Sequence, residues 1–234
     1  MPSPPAAPEP SVLGDIALFQ RLAPRDLSVL SQELRRRTFP PNSNIMTADA
    51  PAEALFIILR GTVKVVAEQA DGSEVLLALL GGGEIVGEMS VTDGLGRSAT
   101  IVTLEESTVA WINRATFTEY LHSMPGLAFN LARILSARLR LANAQIQSLA
   151  TQDVYGRVAR QLLALARVYG REVEGGGILI PLRLTQSELA SRVGASRVRV
   201  NQALVTYKEL GYISLEHDNR LTVRNPTALA QRCA

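Results

Sequence analysis

One fourteen-residue run constrains this chain more than any other: Gly87-Glu88-Met89-Ser90-Val91-Thr92-Asp93-Gly94-Leu95-Gly96-Arg97-Ser98-Ala99-Thr100. A carboxylate follows a glycine, a glycine-rich turn comes next, and an arginine then stands beside a serine. Arg97 offers a forked cation and Ser98 a hydroxyl donor, which together suit a phosphate. Glu88 accepts only, as a ribose hydroxyl requires. Gly87 to Ser90 reads as the first turn of a short helix, whose free N–H groups would face an anion. A sugar acceptor and a phosphate donor this close together imply a small nucleotide, bound for sensing rather than cleaved.

The rest of the 234 residues allow one or two domains. With 47% hydrophobic and 20% charged residues, the composition supports a real core and excludes global disorder. No apolar run reaches the roughly 18–20 residues of a membrane span. Residues 1–10, rich in proline and alanine, read as a disordered tail and not a signal peptide. Cys233 is the single cysteine, so internal disulfides and thiolate-held metal clusters are excluded. A cytoplasmic location is expected. Charge is uneven: residues 1–153 carry 12 Lys+Arg against 16 Asp+Glu, and residues 154–234 carry 12 against 6. The basic C-terminal part points to a polyanion partner.

Along the chain, Val12 to Arg37 has helical spacing, broken at Pro24 into two short helices. From Phe39 to Ile112 short apolar segments alternate with turns. They are Leu55–Leu59, Val63–Val66, a hairpin turn at Asp71-Gly72 into Glu74–Leu79, a turn at Gly81-Gly82-Gly83, and Thr108–Ile112. This predicts a β-sandwich or jelly roll. Pro125 to about Asp153 is a long helix, with Leu135, Leu139, Ala142, Ile146 and Leu149 at alternating steps of four and three. That seam fits either a helix packed on its own barrel or a dimer coiled coil. The expected organisation is a tail (1–10), a β-roll (11–124), a long helix (125–153) and a C-terminal domain (154–234).

In that last part, Thr185-Gln186-Ser187-Glu188 is a capping box. It opens a helix with Leu189, Ala190 and Val193 inside. Gly194-Ala195 makes a tight turn, and Ser196 caps a second helix from Arg197 to Lys208. Val200 and Leu204 face inward, while Arg197, Val198, Arg199, Asn201 and Gln202 face out. Such an end meets base edges in the major groove. Arginine suits guanine, glutamine suits adenine, and valine can touch a thymine methyl. A hairpin (Tyr212–Leu215, His217-Asp218-Asn219, Leu221–Val223) follows as a wing, and Asn225-Pro226 opens a terminal helix.

The cassette and the helix-turn-helix, in this order, resemble the cyclic-AMP receptor protein / FNR family of bacterial transcription regulators, over about Leu13 to Leu229. The resemblance extends to Gly61-Thr62-Val63, the long helix and the segment Asp153–Ala159. It is closest to the cyclic-AMP branch, since the oxygen-sensing branch needs several cysteines. It implies an α+β fold: a jelly-roll cyclic-nucleotide-binding domain, a dimerisation helix and a winged helix-turn-helix. It implies cyclic AMP as allosteric ligand, with Gly87 and Glu88 toward the ribose and Arg97 and Ser98 toward the cyclic phosphate. Met89 and Ala99 complete the cassette's share of the site. Val65, Leu77 and Val86 would line base and sugar, Arg138 would reach in from the long helix, and Ala142-Asn143 would stand at the adenine positions. DNA contacts fall on Thr185, Gln186, Ser196, Arg197, Val198, Arg199 and Gln202. The implied partners are a pseudo-palindromic duplex, a second copy of the chain through residues 125–153, and RNA polymerase.

Two departures stand out. The family's usual Thr-Ser or Thr-Asn at the adenine reads Ala142-Asn143, and its Arg-Glu-Thr-Val-x-Arg reads Arg197-Val198-Arg199-Val200-Asn201-Gln202. The first leaves a same-fold regulator with another effector, or with constitutive activity, as the alternative. A jelly-roll enzyme is the remaining class. Such barrels hold a metal through several histidines, and this chain has His122 and His217 only, in different domains. Neither a metal nor a catalytic role is expected.

Overall fold

The structure is a computed structural model describing residues 8–48, 50–70, 72, 74–174, 176–182, 185–216 and 220–233. They form two compact units, one ending at Arg140 and one beginning at Leu141. Of the expected tail, residues 1–7 lie outside the described residues. Pro8 is buried, its carbonyl accepts from Ser31 Oγ at 2.6 Å, and Pro10 opens α1 (Pro10–Leu13).

Pro24 takes the first position of α2 (Pro24–Glu33), where its missing N–H costs nothing. The helical reading to Arg37 ends early. Arg35, Arg36 and Arg37 instead run in β1 (Arg35–Phe39), paired antiparallel with β8 (Ser107–Asn113). β1 is an edge strand, so its arginines stay in water. Arg35 lies over Trp111, 5.8 Å from the ring centroid, and Arg37 over Phe39 at 4.6 Å.

The strands between are β2 (Asn44–Met46), β3 (Ala54–Arg60), β4 (Val63–Glu68), β5 (Glu74–Leu80), β6 (Ile85–Val86) and β7 (Thr100–Thr103). They pair antiparallel into two sheets of order β1-β8-β3-β6 and β2-β7-β4-β5. This is the expected jelly-roll arrangement. The β4–β5 hairpin is present, although Asp71 lies outside the described residues. The apolar run of β3 is buried on both faces, which explains its lack of alternation. Leu55 and Ile57 join a cluster with Phe19, Phe117, Leu127 and Leu131. Ile58 and Phe56 face Met46, Val63, Leu80, Val86 and Ile101.

Inserted before β7 is α3 (Glu88–Asp93), and after β8 come α4 (Arg114–Ser123) and the long α5 (Pro125–Thr151). Asn113 caps α4 by accepting from Thr116 N. In α5, Leu127 and Leu131 are buried and Leu135 packs on the same cluster. Leu135 therefore belongs to its own domain's core, whereas Phe129 and Leu139 stay 66% and 62% exposed. Asn130 Nδ2 ties α5 to the N-terminal segment, donating to the carbonyls of Leu18 and Gln20 at 3.0 and 2.7 Å.

By compactness the last turns of α5, from Leu141 on, go with the second unit. Gln145 Nε2 donates to Arg192 O at 3.0 Å, which fastens those turns to the C-terminal helices. Then follow α6 (Val154–Tyr169), β9 (Arg171–Glu172), β10 (Ile178–Ile180), α7 (Gln186–Val193), α8 (Arg197–Glu209), β11 (Ile213–Leu215), β12 (Leu221–Val223) and α9 (Pro226–Gln231). The small sheet runs β11-β12-β10-β9. The predicted turn residues His217, Asp218 and Asn219 lie outside the described residues.

Tyr207 anchors this unit. It is fully buried, donates Oη to Tyr155 O at 2.7 Å, and packs edge-on to Tyr155 and stacked on Tyr212. Tyr207→Phe removes the hydroxyl's bonds to Tyr155 O and to Arg232 and is expected to cost about 1–2 kcal/mol in urea unfolding. An unchanged midpoint would show that Tyr155 O has another donor.

Candidate functional site

The cassette folds as turn, helix and turn. Gly87 sits at φ +83°, ψ 7°, a left-handed conformation that favours glycine, and caps α3. At the far end Gly94, at φ +75°, returns its N–H to Ser90 O. The loop back to β7 is closed by Asp93 Oδ1, which accepts from Leu95 N at 2.9 Å, and by Ser90 Oγ donating to Gly96 O at 3.2 Å.

Arg97 returns under this turn. It is 8% exposed. Its Nη2 donates to Ala54 O at 2.7 Å and its Nη1 more weakly to Gly87 O at 3.4 Å. Its Nε is buried and has no hydrogen-bond partner among the described residues. No carboxylate among the described residues forms an ion pair with it. Burial lowers its pKa, and the negative charges of Glu53 and Glu88 act the other way. A buried cation without a counter-ion costs several kcal/mol in principle. An anion reaching Nε would satisfy both the charge and the orphan donor.

Gly87 and Arg97 fit each other closely. A Cβ added at Gly87 would overlap Arg97 Nη1 and lie 3.2 Å from Ala54 O. Gly87→Ala therefore has two effects. It strains the backbone by roughly 1–2 kcal/mol, readable as a lower denaturation midpoint. It also evicts the guanidinium from its carbonyl cradle. An unchanged midpoint would mean that the turn relaxes freely.

Glu88 does not pair with Arg97. Its Oε1 accepts from Arg138 Nη1 at 2.6 Å, with the carboxylate side chain 6% exposed. Arg138 Nη2 also donates to Ile85 O at 2.6 Å. The long helix is thereby pinned to the strand and helix that carry the cassette. Glu88 Oε2 has no partner among the described residues. Nearby Glu84 accepts from Gly81 N; burial raises its pKa, against that bond and the charge of Arg138.

The other expected residues divide. Ser98 is exposed, its hydroxyl 3.9 Å from the sulfur of Met89, itself 51% exposed; Ala99 is buried. Val65 and Val86 share the inter-sheet cluster. Leu77 does not join it: a bulge at Val65/Val66 lets Ala78 face Val65, and Leu77 is left 43% exposed. Ala142 and Asn143 belong to the second unit and are exposed on α5. Sequence reasoning missed the carbonyls of Ala54 and Gly87 that hold Arg97. Backbone acceptors leave no residue-type signal.

The C-terminal motif is built as its caps dictate. Thr185 Oγ1 accepts from Glu188 N, and the Glu188 carboxylate accepts from Thr185 N at 2.9 Å and from its hydroxyl at 3.0 Å. Ser196 accepts from Arg199 N at 3.3 Å. The hydroxyls of Thr185 and Ser196, expected at DNA, are thus engaged as caps. Gly194 sits at φ +62°. Arg157 braces the turn, its Nε donating to Val193 O at 2.7 Å and its Nη2 to Gly194 O at 3.2 Å. Val200, Ala203 and Leu204 are buried, while Arg197, Val198, Arg199, Asn201 and Gln202 are exposed. Gln186 Nε2 donates to Asn201 Oδ1 at 2.9 Å, linking the two helices. Among the described residues no group of His, Cys, Asp and Glu side chains could hold a metal, and no helix is long and apolar enough to cross a membrane.

Comparison with known proteins agrees with both halves. Residues 36–124 match the cyclic nucleotide-binding domain family, and residues 156–232 the Crp-like helix-turn-helix domain. A CRP-like cAMP-activated global transcriptional regulator of Mycobacterium tuberculosis is 34% identical over 221 residues, covering 94% of this chain and 98% of that one. The cyclic AMP receptor protein of Thermus thermophilus is 33% identical, covering 85% and 88%. Among solved structures, the c-di-GMP responsive global regulator CLP of Xanthomonas campestris is similar at a TM-score of 0.72 and 25% identity, covering 82% and 94%. The chain belongs to the CRP/FNR family of transcription regulators, with an N-terminal cyclic-nucleotide-binding domain and a C-terminal Crp-like helix-turn-helix domain.

Proposed function

We propose that this regulator is a homodimer whose sequence-specific DNA binding is controlled by cyclic AMP. The observation that carries the proposal is Arg97: a buried guanidinium, without a carboxylate partner and with an unsatisfied Nε, under a left-handed glycine. A cyclic phosphate supplies the missing anion. Gly87 and Glu88 Oε2 take the ribose, and Ser98 adds a hydroxyl to the phosphate, with Met89 and Ala99 completing the cassette. Asn143 has the donor and the acceptor that a purine edge calls for, and Ala142 has neither. The Glu88–Arg138 pair offers a route from ligand to α5. The exposed stripe of α5, with Phe129 and Leu139, and further along Ile146 and Leu149, suits a second copy of the chain. Two copies would set their recognition helices one DNA turn apart on a pseudo-palindrome. RNA polymerase is the further partner that the family implies.

A second reading keeps the regulator and changes the nucleotide. Ala142 favours it, and the similar CLP protein is described as c-di-GMP responsive. Calorimetry of the full chain against cyclic AMP, cyclic GMP and c-di-GMP separates the two. The first reading expects one cyclic-AMP site per chain and much weaker binding of the others. Preferential binding of c-di-GMP would replace it with the second.

A further inference from the structure

The first turn of α8 presents one large apolar side chain between charged neighbours; Val205, two turns on, is 45% exposed. Val198 is 66% exposed, in the first turn, between the exposed Arg197 and Arg199. Val200 is fully buried, so the core-facing stripe of α8 is complete without Val198. Gln202, four residues on, lies on the same face as Val198 and is exposed. Asn201 is different: its Oδ1 already accepts from Gln186 Nε2, which ties its amide to α7. The outward face near the helix start therefore offers a forked cation at Arg197, a methyl-tipped side chain at Val198 and a free amide at Gln202.

An isopropyl group has no donor and no acceptor. In the major groove the base feature it gains from touching is the C5 methyl of a pyrimidine. The geometry points to Val198 as a reader of that methyl group, so that the operator carries thymine, or equally 5-methylcytosine, under it in each half-site. This rests on the reading that α8 enters the major groove. Unmethylated cytosine at that position offers an N4 amino group for which valine has no acceptor, and leaves the valine methyls without a partner. Methylation of cytosine then strengthens binding at this position, which makes DNA modification an input to the regulator beside its ligand.

The test uses the full-length protein with saturating cyclic AMP. A duplex is selected from random sequence, and each thymine in it is then replaced by deoxyuridine and each cytosine by 5-methylcytosine. One symmetric thymine per half-site is expected to lose about fourfold in affinity on removal of its methyl, the value of roughly 0.8 kcal/mol per buried methyl. 5-Methylcytosine at that position is expected to bind more tightly than cytosine. Val198→Ala, a surface change, flattens both responses, and Val198→Glu turns the preference toward unmodified cytosine. Wild type and Val198→Ala responding alike at every position would overturn the inference alone. Failure to select any duplex would overturn it together with the reading on which it rests.

Discussion

Arg97→Ala is expected to weaken cyclic-AMP binding by about a hundredfold. A charge-assisted hydrogen bond contributes roughly 1.5–3 kcal/mol, and loss of about 3 kcal/mol is a factor of about 10² in Kd. The guanidinium is held by Ala54 O and Gly87 O before any ligand arrives, so little ordering is left to be done on binding. Arg97→Lys keeps the charge but loses the fork, and an intermediate loss of about tenfold is expected. Calorimetry reads both. A thermal melt of each variant separates ligand loss from unfolding, because the same side chain ties β3 to the cassette. Equal affinity in wild type and Arg97→Ala would remove the phosphate from this site.

Arg197→Ala is expected to have a comparable effect at the other end of the chain. A good bidentate contact to guanine discriminates by roughly 1–3 kcal/mol. In a homodimer the contact occurs twice, so specific affinity falls by about 2–6 kcal/mol, or roughly 30-fold to 10⁴-fold. Binding to an unrelated duplex, which rests on phosphate contacts, changes far less. Anisotropy with the selected duplex and with a scrambled one gives both numbers. Equal losses on the two duplexes would make Arg197 a phosphate contact and not a base reader.

What the sequence made legible was local. The capping box at Thr185 and Glu188, the left-handed Gly194 and the cap at Ser196 each depend on residues within a few positions of one another, and all three are present. The same holds for the turn at Gly87. Non-local facts were hidden. β1 reads as Arg-Arg-Arg-Thr-Phe, with no alternation to mark an edge strand; only its pairing with β8 makes it one. Leu135 matched the α5 seam by spacing, but spacing cannot say which face of a helix meets its own domain's core. Leu77 was displaced by a bulge that no residue type announces. Arg138 came from the family resemblance, and its ion pair with Glu88 spans fifty positions, beyond any local pattern.

Nucleotide control of DNA binding is tested most directly by the affinity of the full-length protein for its selected duplex, measured by anisotropy with and without cyclic AMP at fixed salt. An allosteric coupling of about 1–3 kcal/mol makes the duplex bind roughly 5- to 150-fold more tightly with the nucleotide, and requires the duplex to tighten cyclic-AMP binding by the same factor. Identical DNA affinity in the presence and absence of cyclic AMP would contradict it.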